Sequence, residues 1–225
     1  MKTRKTAFLS AVMALLLGAA TSFAGTVNWQ AATDNGLADA SGIKLSPGSL
    51  LLVGSFDISD ATIQANAFNL AFLASHFATF GSSSIGTGVG GLPGFFAQST
   101  VGTFDTTTPF AVGGNQIYIW AFNTSSMGTA TQQGVFSLSG ATEWLFPHDT
   151  DIITTRTIDI TDLTDGSGTI LVPGADIVIG GFRQGPGNLL DFNLAVIPEP
   201  STYALALVGG IGLFFFARRR AGSRA

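Results

Sequence analysis

Five aspartates crowd one stretch of the chain, and they are the first residues whose spacing could do chemistry. They are Asp149, Asp151, Asp159, Asp162 and Asp165. Carboxylate oxygens held by a turn are the ligands that Ca²⁺ prefers. The last three are spaced three residues apart, whereas the early ligands of an EF-hand loop fall at every second residue. The hypothesis is therefore a calcium site at Asp159, Asp162 and Asp165, and the alternative is that these aspartates cap turns and solubilise strand edges.

The two histidines give little support for a catalytic centre. His76 lies in a predicted helix, with neither an acidic residue nor a second histidine four residues away. His148 precedes Asp149 and could pair with it, but no nucleophile-elbow motif supplies a third triad member. Nothing in the sequence selects two acidic residues as a glycosidase pair. The sequence predicts a protein that is not an enzyme and needs no cofactor other than calcium, with a hydrolase as the less favoured alternative.

The three tryptophans are Trp29, Trp120 and Trp144. An exposed pair on one sheet face could stack against sugar rings, although tryptophans in strands more often fill the core. A carbohydrate-binding module is therefore the alternative from a different class of function. Burial of all three tryptophans would disfavour it.

Charge and cysteine content exclude several classes of function. Residues 25–197 hold three basic residues against thirteen acidic ones, a formal net charge of −10, whereas the whole chain carries −4. Such a surface argues against nucleic acid or anionic lipid as a partner. The chain has no cysteine, so it can form neither a disulfide framework nor a thiolate metal site.

The elements that must position these residues are mostly short strands. Residues 25–196 are rich in Gly, Thr, Ser and β-branched or aromatic residues and are broken by regular turn signals, which is typical of an antiparallel β-sandwich in a single domain. Strands are predicted at 49–58, 116–123, 134–139, 175–182 and 189–196. Strand 116–123 is apolar on both faces and should be central and covered on both sides. In strand 189–196 the alternation predicts one buried face, formed by Leu190, Phe192, Leu194 and Val196, and one solvated face with Asp191 and Asn193. The apolar spacing of three and four residues from Ala61 to Phe80 predicts one amphipathic helix, capped by Ser59 or Asp60 and closed by Gly81.

Residues 1–24 have the pattern of a secretory signal peptide. Lys2, Arg4 and Lys5 precede an apolar stretch from Ala7 to Ala20. Small residues then allow signal peptidase to cleave after Ala24. The alternative is a retained N-terminal membrane helix. The sequence favours export of the following domain by the Sec machinery.

Residues 201–217 predict a transmembrane helix. They contain no charge, and seventeen helical residues span about 26 Å, the short limit for a hydrocarbon core. Arg218, Arg219 and Arg220 follow directly, and the positive-inside rule places them in the cytoplasm. A buried helix of a soluble domain, the alternative, would need a polar face that this segment lacks.

Pro198, Glu199 and Pro200 precede this segment, and two prolines favour an extended, accessible chain. The order of this motif, the apolar run and the arginines resembles the PEP-CTERM sorting signal of exported bacterial proteins, a tail also catalogued as an ice-binding protein C-terminal domain. The resemblance covers the last 28 residues. It implies recognition by an exosortase, a membrane-embedded cysteine transpeptidase that cuts near the motif and releases or re-attaches the protein.

These observations predict three parts: a signal peptide at 1–24, an exported β-rich domain at 25–196, and a sorting signal at 197–225. The expected route passes through an inner-membrane intermediate to the cell surface or the extracellular matrix. The leading interpretation is a structural or adhesive matrix component that contacts exopolysaccharide and no nucleic acid.

Overall fold

The computed structural model describes residues 23–31, 35–104, 114–148, 151, 153–165 and 167–198. These residues form a mainly β structure with two short α-helices, which confirms the predicted β-rich class. The strands are β1 (Phe23–Ala31), β2 (Leu37–Ala38), β3 (Leu50–Phe56), β4 (Phe77–Ser84), β5 (Phe96–Phe104), β6 (Tyr118–Phe122), β7 (Gln132–Leu138), β8 (Thr155–Asp159), β9 (Ala175–Ile179), β10 (Gly181–Gln184), β11 (Leu190–Asn193) and β12 (Ala195–Val196), and the helices are α1 (Asp60–Ala65) and α2 (Leu70–Ser75).

The described strands form three sheets, none of which closes on itself. The central sheet has the order β12-β7-β6-β3-β4, and β9 also pairs with β7. The second sheet has the order β5-β1-β8, and the third has the order β10-β11-β2. Most neighbours are antiparallel, but β1 pairs in parallel with β8, and β11 with β2. The predicted antiparallel pairing therefore holds for most neighbouring strands, and these two parallel pairs depart from it.

The central strand β6 is apolar on both faces, and both faces are covered. All five of its residues are buried. Ile119 and Ala121 belong to a core cluster that also contains Val27 and Trp29 of β1. On the opposite face, Trp120 belongs to a second cluster with residues of α1 and α2. The prediction that this strand is central and covered on both sides is confirmed.

The single helix predicted from Ala61 to Phe80 is wrong, because two asparagines and a strand interrupt it. Ser59 caps α1 as expected, since its hydroxyl accepts from the Thr62 N–H. Asn66 ends α1, and Asn69 caps α2 by accepting from the Phe72 N–H. The chain from Phe77 then pairs with β3 instead of continuing as a helix. Strand pairing overrides the local helical spacing, which carries no information about distant partners.

Gly81 does not close a helix but lies inside β4. A Cβ atom at this position would lie 2.4 Å from Thr100 Oγ1 of β5. The glycine therefore permits close approach between the central sheet and the second sheet.

Two predicted strands are each divided where the chain passes from one sheet to another. Gly180 separates β9, which pairs with β7, from β10, which pairs with β11. Its φ is +119°, a value that favours glycine. Leu194 separates β11 from β12, and its N–H donates to Ala38 O of the third sheet. The predicted strands 175–182 and 189–196 are therefore located correctly, but each serves two sheets.

The predicted end segments lie almost wholly outside the described residues. Ala24, the predicted cleavage position, lies within β1, opposite Thr103 of β5. Glu199, Pro200, the segment 201–217 and the three arginines at 218–220 are not described. Across the ranges that are described, no helix is long and apolar enough to span a membrane.

Candidate functional site

The sorting motif begins directly where the sheet ends. Ala195 and Val196 of β12 pair with Gln133 and Gln132 of β7. The N–H of Ile197 then donates to Thr131 O at 2.7 Å. Pro198 follows and has no N–H to donate. The predicted motif therefore follows directly after Ile197, whose N–H forms the last backbone hydrogen bond of the described part of the chain.

Two of the three predicted calcium ligands cap one short helix. A 3-10 helix spans Ile160–Leu163, and Asp159 is its N-cap, with its carboxylate accepting from the Thr161 N–H. Asp162 Oδ2 accepts from the Asp159 N–H at 2.8 Å and from Trp144 Nε1 at 3.1 Å. Burial raises the pKa of the Asp162 carboxyl, and these two N–H donors oppose that rise.

Asp165 shapes its own turn. Its Oδ1 accepts from the N–H groups of Thr169 and Ile170, and both carboxylate oxygens accept from the Ser167 hydroxyl. These donors lower the pKa of the Asp165 carboxyl. Within the described residues, no three His, Asp or Glu side chains are grouped so that they could hold a metal ion. The calcium site at Asp159, Asp162 and Asp165 stays a prediction, and Asp149 lies outside the described residues.

Each histidine has a described contact with an aspartate other than the three predicted calcium ligands. His76 Nδ1 is 2.7 Å from Asp57 Oδ1, in a pair whose carboxylate is largely exposed. The backbone N–H of His148 donates to Asp151 Oδ2, and Asp151 also accepts from Arg156. The described contacts thus give Asp57 and Asp151 local structural partners.

All three tryptophans are fully buried. Trp29 Nε1 donates to Thr100 Oγ1, and Trp120 Nε1 donates to Gln133 Oε1. Trp144 Nε1 donates to Asp162, as described above. No tryptophan is therefore available for stacking on a sugar, which disfavours a carbohydrate-binding module built on these residues.

A cavity of about 550 Å³ lies beside β8. Its lining residues include three acidic residues, Glu143, Asp162 and Asp165, and two threonines, Thr157 and Thr161. Its volume is within the range of small-ligand sites. The cavity therefore brings two of the predicted calcium residues, Asp162 and Asp165, to one surface depression.

The second sheet presents a polar face that the sequence analysis did not find. We define the outer face as the outward-pointing residues of β5, β1 and β8. They alternate with the buried Val27, Trp29 and Ile158, and strand register places them side by side. The outer-face residues are Ala97, Ser99, Val101, Thr103, Ala24, Thr26, Asn28, Gln30, Thr155, Thr157 and Asp159.

Only one of these eleven residues is ionisable, namely Asp159, and its Oδ2 accepts from Gln30 Nε2 at 2.7 Å. The alternation of TVNWQA in β1 could have revealed this face from sequence.

Comparison with known families decides the role of the C-terminal segment. Residues 196–221 match the family model of the PEP-CTERM protein-sorting motif. The chain carries a PEP-CTERM motif. The match confirms the resemblance that rests on Pro198, Glu199 and Pro200, and it supports an exported protein that an exosortase sorts towards the cell surface. No curated protein and no solved structure matches the chain significantly.

The PEP-CTERM match begins inside the folded domain. Its first residue, Val196, is the last residue of β12. The sorting signal and the central sheet therefore share Val196.

Proposed function

We propose that this chain is an exported bacterial surface protein whose β-rich domain is a non-enzymatic, adhesive component of the extracellular polymer matrix. The PEP-CTERM motif supports the route. The outer face is the observation that carries the adhesive role, and we propose that the second sheet packs on the central one as a sandwich so that this face points to solvent.

The outer face fits a hydroxyl-rich, uncharged polymer. Exposed surfaces of soluble domains usually carry about a quarter to a third charged residues, whereas this face has one ionisable side chain among eleven. Its hydroxyl and amide groups can both donate and accept hydrogen bonds, as sugar hydroxyls do. The net charge of −10 over residues 25–197 disfavours direct contact with an anionic polymer, unless calcium bridges the two.

The experiment is co-sedimentation of the purified domain with the producing organism's exopolysaccharide, with calcium and with chelator. Ser99→Glu places a long charged side chain on β5, at an exposed position of the outer face next to Asn28 of β1. We expect it to weaken binding by about tenfold, which corresponds to about 1.4 kcal/mol.

Ser125→Glu is the matched control, because Ser125 is equally an exposed serine but lies in the turn after β6. Equal effects of the two substitutions, or no sedimentation of the unaltered domain, would refute the adhesive role of the outer face. Binding that requires calcium would support the predicted metal site, which a calcium-dependent rise in melting temperature would test independently.

A polysaccharide hydrolase is the second candidate, and the cavity beside β8 favours it. Glu143 and Asp162 both line the cavity, and burial raises the pKa of Asp162, as a general acid requires. Release of reducing ends from the exopolysaccharide, abolished by Asp162→Asn, would establish this activity and overturn the non-enzymatic proposal. We expect no release.

A further inference from the structure

The last strand of the domain is held much more weakly than the residue before it. Leu194 is buried, and its N–H donates to Ala38 O. A Cβ atom on Gly134 would lie 2.7 Å from Leu194 Cδ2, so Leu194 fills the space above that glycine. The chain is therefore fixed firmly up to Leu194.

Beyond Leu194 the attachments are few. β12 is two residues long and lies at the edge of the central sheet. The side chain of Val196 is 54% exposed, contrary to the prediction that it lies on the buried face of its strand. The Ile197 N–H bond to Thr131 is the last backbone bond of the described chain. A short edge strand with one exposed side chain can separate from its neighbour without opening the core.

The reach of the chain makes this separation useful to a processing enzyme. Glu199 lies two residues beyond Ile197, and two residues of chain span at most about 7 Å. Measured from Leu194, the same residue is five positions away, a reach of about 17 Å. With β12 in place, an enzyme that encloses Glu199 must also fit against the end of the domain around Thr131.

We propose that the exosortase takes residues 195–197 from the edge of β7 together with the Pro-Glu-Pro motif, so that β12 leaves the central sheet before the chain is processed. Val196 is then shared by two states: it is a sheet residue in the resting domain and part of the extended chain that carries the motif to the enzyme during sorting. Release of β12 gives the Pro-Glu-Pro motif the longer reach that is measured from Leu194. The family match that begins at Val196 supports this assignment.

A disulfide between β12 and β7 tests the proposal, because it prevents β12 from leaving the sheet. The chain has no cysteine of its own, so two introduced cysteines within one chain can pair only with each other. Gln132 and Val196 are directly opposite in antiparallel register, a separation that suits a disulfide. In cells with an active exosortase, the oxidised Q132C/V196C variant should be processed about tenfold more slowly than the unaltered chain, because cleavage follows the population of the open form. Each single-cysteine variant should be processed normally.

The control disulfide is N28C/S99C, which joins opposed residues of β1 and β5. Both positions are far in sequence from β12 and the sorting motif. It should leave processing unchanged. A flexible Gly-Ser spacer of about six residues, inserted between Ile197 and Pro198 of Q132C/V196C, supplies the missing reach and should restore processing. Normal processing of Q132C/V196C with its disulfide shown on a non-reducing gel would overturn the proposal. Failure of the spacer to restore processing would overturn it as well.

Discussion

Strands β6 and β8 differ in how many of their faces the protein covers. Every residue of β6 is buried, whereas Ile158 is the one buried residue of β8, and Thr155 and Thr157 are exposed. β6 lies between two apolar clusters, and β8 closes one side of a single cluster. The difference indicates that β6 belongs wholly to the core, while β8 divides its residues between the core and an exposed surface.

Trp120→Ala tests the contribution of the fully buried strand β6 and should cause the largest loss of stability. The Trp120 ring lies 5.4, 5.1 and 5.0 Å from the rings of Phe56, Phe77 and Phe122. Truncation leaves a large cavity, and it also leaves Gln133 Oε1 without the Trp120 N–H. We expect a loss of about 4 kcal/mol in the free energy of unfolding, measured by urea denaturation.

Phe68→Ala is the control for Trp120→Ala, because Phe68 is an aromatic residue with 57% of its surface exposed. It should change stability by less than about 0.5 kcal/mol. A similar loss in both variants would mean that the buried cluster around Trp120 is not the source of stability.

Ile158→Ala tests how much the single buried residue of β8 contributes to stability. Ile158 is fully buried in the cluster that β8 shares with β1 and β6. We expect a loss of about 3 kcal/mol, smaller than for Trp120 because fewer atoms are removed. Ile153→Ala deletes the same atoms just before β8, where the side chain is 67% exposed, and should be nearly neutral. Equal losses would show that β8 is not anchored through its inward residue.

Asp165→Asn should have the smallest effect, and one that depends on pH. The Ser167 hydroxyl and the N–H groups of Thr169 and Ile170 lower the pKa of Asp165 from its ordinary value of 3.8. A lowered pKa adds stability above pH 3.8, and this contribution disappears as the pH falls through the folded-state pKa. Thermal melts should show the variant less stable at pH 6 and the difference shrinking below pH 3.8. A difference that is constant with pH would contradict the role of the ionised carboxylate.

Local sequence patterns predicted the parts of the fold that depend on neighbours in the chain. The apolar run at 116–123 correctly indicated a doubly covered strand. The local spacing did not predict that Asn66 and Asn69 divide the helix. Nor could it predict that the chain leaves the helix at Phe77, because β4 is stabilised by pairing with the distant strand β3. The parallel pairing of Thr26 with Thr155 left no local signal at all.

The candidate functional residues also divide into those that local sequence predicts and those that depend on distant segments. Pro198, Glu199, Pro200 and the arginines form a linear motif, which sequence reading can detect without a fold. The alternation within β1 indicates one row of the outer face, but the complete face needs three strands brought together from distant segments. Asp191 reads as a solvated residue of an alternating strand, yet it is buried because Lys44 Nζ lies 2.5 Å from its Oδ1.

β1, near the N-terminus, pairs with a strand that is synthesised much later. Thr26 of β1 and Thr155 of β8 are 129 residues apart, and at about 5–20 residues per second their synthesis is separated by on the order of 10 s. During that interval Val27 and Trp29 have no complete sheet to cover them. Nascent chains of this kind fold slowly and tend to aggregate. Segment 26–31 is therefore where a holding chaperone would be needed until β8 arrives.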